Sequence, residues 1–346
     1  MNISHGPGFL KEMDDIDRKL LVLIEVNPRI HFRELAMQLG ISKQAVHHRM
    51  QALTKLGVIR GWTASISVSY ADAIPVAVFG RSETASVEKT LSKLGESEHS
   101  HRVVVAGGNF LYVIGMLRNV SELEGFAQFV SRTAEMPAPA VGIYCRDEEL
   151  MPYYPVDGGG KRKQSNKELA PIDLKIISSL KDDARRSIAD IADMVGVSAK
   201  TVRRHLEDMI SEGSVDLSVP SDLQSGGDMF LIMHVNIRAG ADKVEVGKRL
   251  LSESPFHDQY IRTFSNLPGL LVWVFWSGNI AEIRKVLGDL GKDEDVVAVM
   301  LNFAYSERIY PTWLDKLSEA LTSSSRKART RSLPSRLRRQ GSPSKR

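Results

Sequence analysis

Apolar residues along this chain follow two periods in turn. From residue 14 the spacing is helical: Ile16, Leu20, Leu23 and Ile24 share one face, Asp14 or Asp15 can cap the start, and Asn27-Pro28 closes the end. A second short helix begins near Phe32, carries Leu35, Ala36 and Leu39, and stops at Gly40. Ser42 is a natural cap for a third helix, which buries Ala45, Val46, Met50 and Leu53 and leaves Lys43, Gln44, His47, His48 and Gln51 on the opposite face. After Gly57, the stretch from Ile59 to Val68 reads as extended. Three short helices and a β-ribbon predict a winged helix-turn-helix.

The next stretch changes its rhythm. Ile74–Phe79 reads as a strand, Ser86–Leu94 as a helix, His101–Val105 and Phe110–Met116 as strands, Val120–Thr133 as a helix and Ala140–Cys145 as a strand. Farther on, the same order recurs at Met229–Ile237, Val244–Leu251, Gln259–Phe264, Leu270–Trp276, Ile280–Leu290 and Val296–Ala304. Both read βαββαβ, a ferredoxin-like antiparallel sheet with helices on one face, so the fold class is α+β.

The helical stretch is written twice as well. Ile16–Arg60 returns 156 residues later as Ile172–Asp216 without a gap, with nine of 45 pairs identical: Ile16/Ile172, Asp17/Asp173, Lys19/Lys175, Arg29/Arg185, Ala36/Ala192, Gly40/Gly196, Ser42/Ser198, Val46/Val202 and Gly57/Gly213. A period this long is a domain duplication, since solenoid repeats run about 20–50 residues. The expected layout is an arm (1–12), a reader and its sheet domain (13–68, 69–155), a Gly- and Lys/Arg-rich linker (156–168), a second reader and sheet domain (169–219, 220–321) and a tail (322–346).

Charge alters this picture in one place. The net charge of +4 over 346 residues is uneven: Arg326–Arg346 holds nine Lys/Arg and no acid, which leaves 37 basic against 42 acidic residues elsewhere. Nucleic-acid contact by the folded body must therefore be local, while the basic tail, expected to be disordered, can add salt-dependent phosphate affinity. No apolar run is long enough to span a bilayer, and no secretory signal is visible. The one cysteine, Cys145, cannot form an internal disulfide, which fits a cytoplasmic location. It closes an apolar strand and is expected in the core.

The candidate chemistry lies on the third helix of each reader, whose solvent face can enter the major groove. In the second copy that face holds Lys200, Thr201, Arg203 and Arg204 after the cap Ser198; in the first it holds Lys43, Gln44, His47 and His48 after Ser42. Arginine can pair bidentately with guanine, Gln44 can read adenine, and lysine can neutralise phosphate. Arg49 and His205 lie at the helix's inner edge, Arg49 being expected on phosphate, and Arg60 is placed to reach phosphate from the wing. Arginine stays charged whereas imidazole ordinarily titrates near pH 6.5, so the first reader is expected to bind more weakly at neutral pH and to gain affinity toward pH 6. His99 and His101 share a face by strand alternation but lack a third ligand in sequence, so neither metal nor cofactor is expected. Trp273 and Trp276 are expected in core packing or between the two sheets.

Ile16-Asp17-Arg18-Lys19-Leu20-Leu21, Glu34-Leu35-Ala36, Leu39-Gly40-Ile41-Ser42 and Leu56-Gly57-Val58-Ile59, echoed by Ile172-Asp173, Asp190-Ile191-Ala192 and Gly196-Val197-Ser198, resemble the Lrp/AsnC family of transcription regulators. The resemblance implies double-stranded DNA as partner, sheet domains that pair into dimers, and in some members a small-molecule effector. Two readers and two sheet domains in one chain then make an intramolecular pseudo-dimer, with further homo-oligomers open. The family's glycine followed shortly by an acid, linked to amino-acid effectors, is missing from Gly107-Gly108-Asn109-Phe110-Leu111 and Pro268-Gly269-Leu270-Leu271, which argues against amino-acid sensing. The leading expectation is a sequence-specific regulator and not an enzyme. One alternative is a siroheme decarboxylase-like enzyme, which shares the layout but needs a His-Cys-Tyr-x-Arg type stretch; Ser100-His101-Arg102 and His257-Asp258-Gln259-Tyr260-Ile261-Arg262 only approach it, with no cysteine near either in sequence. The other is an architectural DNA-binding protein.

Overall fold

The computed structural model describes residues 13–145, 150, 168–256 and 259–317; the expected arm, the linker up to residue 167 and the basic tail lie outside them. Helix α1 (Asp15–Val26) opens on a reciprocal cap, Asp14 accepting from the Asp17 N–H at 2.9 Å and Asp17 from the Asp14 N–H at 3.3 Å. Helix α2 (Phe32–Leu39) ends at Gly40 with φ 65°, a left-handed turn that side chains rarely adopt, and α3 (Lys43–Lys55) begins where Ser42 Oγ accepts from the Ala45 N–H at 3.1 Å. The second reader repeats the scheme in α6 (Pro171–Leu180), α7 (Ile188–Val195) and α8 (Ala199–Ser211), with Gly196 at φ 76° and Ser198 capping Thr201.

The extended stretch after each reader is one strand, not a hairpin. β1 (Thr63–Ile66) and β6 (Val215–Ser218) pair with each other, antiparallel, so the two copies share a single ribbon. The ribbon sits mainly on the second reader: Ala64 and Ile66 of β1 are buried with Val215 of β6 and with Ile177, Leu206 and Met209, while Val219, just past β6, is buried with Leu20, Leu35 and Val46 of the first reader. A four-residue strand has too little of its own to hold a ribbon, and each finds its pairing partner in the other copy, β1 its apolar cover as well.

The remaining strands form one sheet. The first copy contributes β2 (Ile74–Arg81), α4 (Val87–Leu94), β3 (Ser100–Ala106), β4 (Phe110–Leu117), α5 (Leu123–Thr133) and β5 (Ala140–Ile143). The second contributes β7 (Met229–Ile237), α9 (Lys243–Glu253), β8 (Gln259–Thr263), β9 (Leu270–Ser277), α10 (Ile280–Leu290) and β10 (Val296–Ile309). The order is β5-β2-β4-β3-β10-β7-β9-β8, every pair antiparallel. Its two edges meet where Tyr144 bridges Phe264, the Cys145 N–H donates to Thr263 O and the Ser265 N–H donates to Ile143 O, each at 2.9 Å for the last two. The two edge strands thus touch at one corner, so part of each edge is covered.

Two apolar layers lie on the helix side of the sheet, one per copy, and a third fills its interior. Trp273, 1% exposed, belongs to a helix-side layer and donates its indole N–H to Gln259 Oε1 at 3.0 Å. Trp276 stacks on Phe230 at 4.8 Å. The interior joins both copies through Phe79, Tyr112, Phe230 and Phe264, and holds one polar chain: Asn302 Nδ2 donates to Tyr112 Oη at 2.6 Å, and Tyr112 Oη lies 2.9 Å from His234 Nε2.

Strand β10 runs five residues past its expected end at Ala304. From there it leaves β7 and pairs with β3 of the other copy, from Ala304 opposite Ala106 to Ile309 opposite Arg102. The chain beyond it settles on the first copy, Tyr310 donating to Leu91 O at 2.6 Å and the Trp313 indole to Met116 O at 2.8 Å. Leu150 of the first copy is fully buried in the second copy's layer. Each copy therefore finishes its packing on the other.

Candidate nucleic-acid interface

The two third helices carry equivalent faces with different chemistry. Val46, Met50 and Leu53 of α3, and Val202, Leu206 and Met209 of α8, are buried at helical spacing. That fixes the rotation of each helix and turns Lys43, Gln44, His47 and His48 outward on α3, and Lys200, Arg203 and Arg204 outward on α8, all exposed. Thr201 is half-buried, its hydroxyl 2.8 Å from Ser198 Oγ, so Ser198 and Thr201 chiefly build the helix start. His47 also leans on Phe32, ring centroids 5.7 Å apart, at one wall of a groove of about 450 Å³ lined by Met50, Gln51, Lys55 and Trp62.

Three basic residues expected at the DNA are engaged within the protein. Arg49 Nη1 donates to Asp17 Oδ1 at 2.6 Å and to Asp14 at 2.8 Å, and these hydrogen bonds, Asp17 first, push its guanidinium further up. The guanidinium expected on phosphate here ties α3 to the start of α1. His205 repeats it in the second copy, with Nδ1 2.7 Å from Asp173 Oδ1. Asp17 and Asp173 are each 6% exposed, which explains why this acid is identical in both copies. Arg60, expected to reach out from the wing, forms an ion pair with Asp222. Replacing Arg49 by methionine leaves Asp17 buried without its cation; the reader should lose about 2 kcal/mol of stability, seen as a lower thermal midpoint, with base preference unchanged. A change in preferred bases at intact stability would return Arg49 to the interface.

A register shift between Ser100 and Arg102 breaks the alternation that grouped His101 with His99, whose ring nitrogen lies 3.2 Å from Met116 O. Among the described residues no group of three His, Cys, Asp or Glu could hold a metal ion, and no helix is long and apolar enough to cross a membrane. Cys145 is half-buried, with its sulfur 3.2 Å from Lys243 Nζ. The fold also sets it beside the Gln259–Thr263 strand, a neighbour that sequence distance concealed. Arg262 in that strand lies over the Tyr144 and Tyr260 rings, at 5.4 and 5.2 Å. Burial, aided by the Arg102 charge, pushes the His101 imidazole down to about 4.

Comparison with known proteins places this geometry. A family model for winged helix-turn-helix DNA-binding domains matches twice, at residues 13–60 and 165–215. The chain is 34% identical over 116 residues to the helix-turn-helix-type transcriptional regulator Ptr1 of Methanocaldococcus jannaschii, a match spanning 33% of this chain and 78% of that protein. It is 25% identical over 121 residues to an uncharacterised regulator of the same type from Pyrococcus furiosus, spanning 34% and 82%. Each match is about the size of one copy. Over the whole chain, the solved structure of the siroheme decarboxylase NirDL superposes with a TM-score of 0.55 at 14% identity, covering 90% of this chain and 99% of that one, a likeness of fold.

Proposed function

The chain belongs to the Lrp/AsnC family of DNA-binding transcription regulators, and from that premise we propose that it is a tandem member in which one polypeptide supplies both readers to two unlike half-sites. What supports this reading most is the pair α3 and α8. Both are capped by serine and turned by buried apolar residues, and they are carried on one shared ribbon with different exposed side chains. In a homodimer the two faces are identical and the site is palindromic. Here His47 and His48 stand where Arg203 and Arg204 stand in the other copy, so the preferred site is an imperfect palindrome. The second half-site is read by Arg203 and Arg204 with Lys200 on phosphate; Lys43, Gln44, His47 and His48 read the first.

Selection from random duplexes followed by hydroxyl-radical footprinting tests the proposal. Two protected patches of different sequence, centred one helical turn or a multiple apart, are expected; two identical half-sites, or no sequence preference at low salt, contradict it. Installing Arg at both histidine positions (H47R/H48R) should raise affinity for the first half-site about tenfold at pH 7 and draw its preference toward guanine.

The whole-chain likeness to a decarboxylase keeps an enzymatic reading testable. Titration with siroheme, followed by visible absorbance, is expected to leave the spectrum of the tetrapyrrole unchanged.

A further inference from the structure

Arg29 and Arg185 are one of the nine identical pairs, yet neither lies on a recognition helix. Each sits in the turn between the first two helices of its reader, and each reaches into the other reader's turn. Arg185 Nη1 donates to Pro28 O at 3.1 Å and its Nη2 to Ile30 O at 2.9 Å. Arg29 Nη1 donates to Ala184 O and its Nη2 to Arg186 O at 3.0 Å. With the 156-residue offset, carbonyls 28 and 30 are the counterparts of 184 and 186, so the contact is reciprocal, each guanidinium straddling the residue that carries the other. Even the supports match: the Arg29 N–H donates to Asn27 Oδ1 at 3.1 Å and the Arg185 N–H to Asp183 Oδ1 at 2.9 Å. Arg185 also lies over the Phe32 ring at 5.1 Å, and the Ala184 N–H donates to Trp62 O at 3.1 Å, just ahead of the shared ribbon.

A two-stranded ribbon of four residues a side is short, and although Ala64, Ile66 and Val219 seat it in the two readers' cores, it leaves them room to rotate about its twist. A second attachment beside it, made of planar two-pronged donors on fixed carbonyls, removes that freedom. We infer that Arg29 and Arg185 are positioning residues that lock the two readers at one separation and one rotation, and so make the protein selective for the spacing between its half-sites as well as for their sequence.

The inference rests on the DNA-binding reading. Each base pair added between half-sites shifts the second by 3.4 Å and rotates it by about 35°. A locked pair must then give up one reader's contacts, while a hinged pair can follow.

The test uses the full chain and duplexes carrying the two selected half-sites, with the gap varied one base pair at a time, beside a duplex with a single half-site. For the wild type, affinity should fall about tenfold or more at two base pairs off the optimum, since the second reader's avidity is lost. In the double variant R29M/R185M the same change should cost under about threefold, while single-half-site binding stays within about twofold of wild type. A flat profile for the wild type, or an equally steep one for the variant with half-site binding intact, overturns the inference. A wild type that binds neither the paired nor the single half-site defeats the DNA reading instead. Should R29M/R185M fail to fold, R29K and R185K keep the charge but not the two-pronged geometry. Each should broaden the profile part of the way, and unchanged profiles in both also overturn the inference.

Discussion

Replacing Arg203 and Arg204 together by alanine should weaken binding to the paired operator by on the order of a hundredfold, the equivalent of about 3 kcal/mol. Both side chains are exposed on the outward face of α8, opposite the buried Val202, Leu206 and Met209, so their loss leaves the reader's core untouched. Unlike Arg49, they have no carboxylate partner among the ion pairs of the described residues; Arg204 has only a 3.3 Å contact with the ring of His205. Their charge is available to the nucleic acid. Removing two cations should also flatten the log–log dependence of affinity on salt by up to about 1.8. The matching change in the first copy, H47A/H48A, should cost far less at pH 7, because it removes weaker readers. Titrations of both variants at several salt concentrations decide the matter. Equal losses for the two pairs, or none for the arginines, would place the reading surface elsewhere.

Much of this arrangement was legible because it is locally encoded. Serines 42 and 198 cap the helices they were expected to cap, Gly40 and Gly196 make the turns, and the two βαββαβ runs fall within a few residues of where alternation put them. What escaped was the exchange between copies. Period-two alternation predicts a strand but not its neighbour, so nothing in β1 announced that it would pair with β6, nor in β10 that its last residues would cross to β3. The roles of Arg49 and Arg29 were hidden for a related reason. Both look like surface cations one at a time, and each is defined by a partner far along the chain. A signal did exist: Asp17 stands 32 residues before Arg49 and Asp173 32 before His205, an acid kept identical opposite a basic side chain that varies. Identity across the duplication marked Asp17/Asp173 and Arg29/Arg185 as constrained. It could not say that the first pair is tied within its own reader and the second to the other.

Lowering the pH from about 6.5 to about 4 should destabilise the protein by about 3 kcal/mol through His234 alone, and H234F should remove that loss. His234 is 5% exposed between the two copies, and burial pushes its imidazole down to about 4. The unfolded chain takes up a proton near the ordinary imidazole value of about 6.5, the folded one only near 4, so the unfolded state is favoured progressively as pH falls between the two. Above pH 6.5 both states are neutral there and the residue contributes no slope. The hydrogen bonding agrees with a neutral ring: Asn302 donates to the Tyr112 oxygen, leaving the phenol hydrogen for His234 Nε2 to accept. Phenylalanine suits the site sterically. The strand registers make Phe79 the first copy's counterpart of His234, and the two rings already meet edge to face at 5.3 Å. At pH 7 the variant should be less stable by about 1–3 kcal/mol, because the Tyr112 hydroxyl loses its acceptor in a buried place. On acidification the wild type falls toward it, and by about pH 4 the order of stabilities should narrow or invert, His101 leaving a residual slope in both proteins. Urea midpoints measured from pH 7 to pH 4 check this. Parallel curves for wild type and H234F would mean that the interior reaches water well enough to charge the ring without opening the junction between the copies.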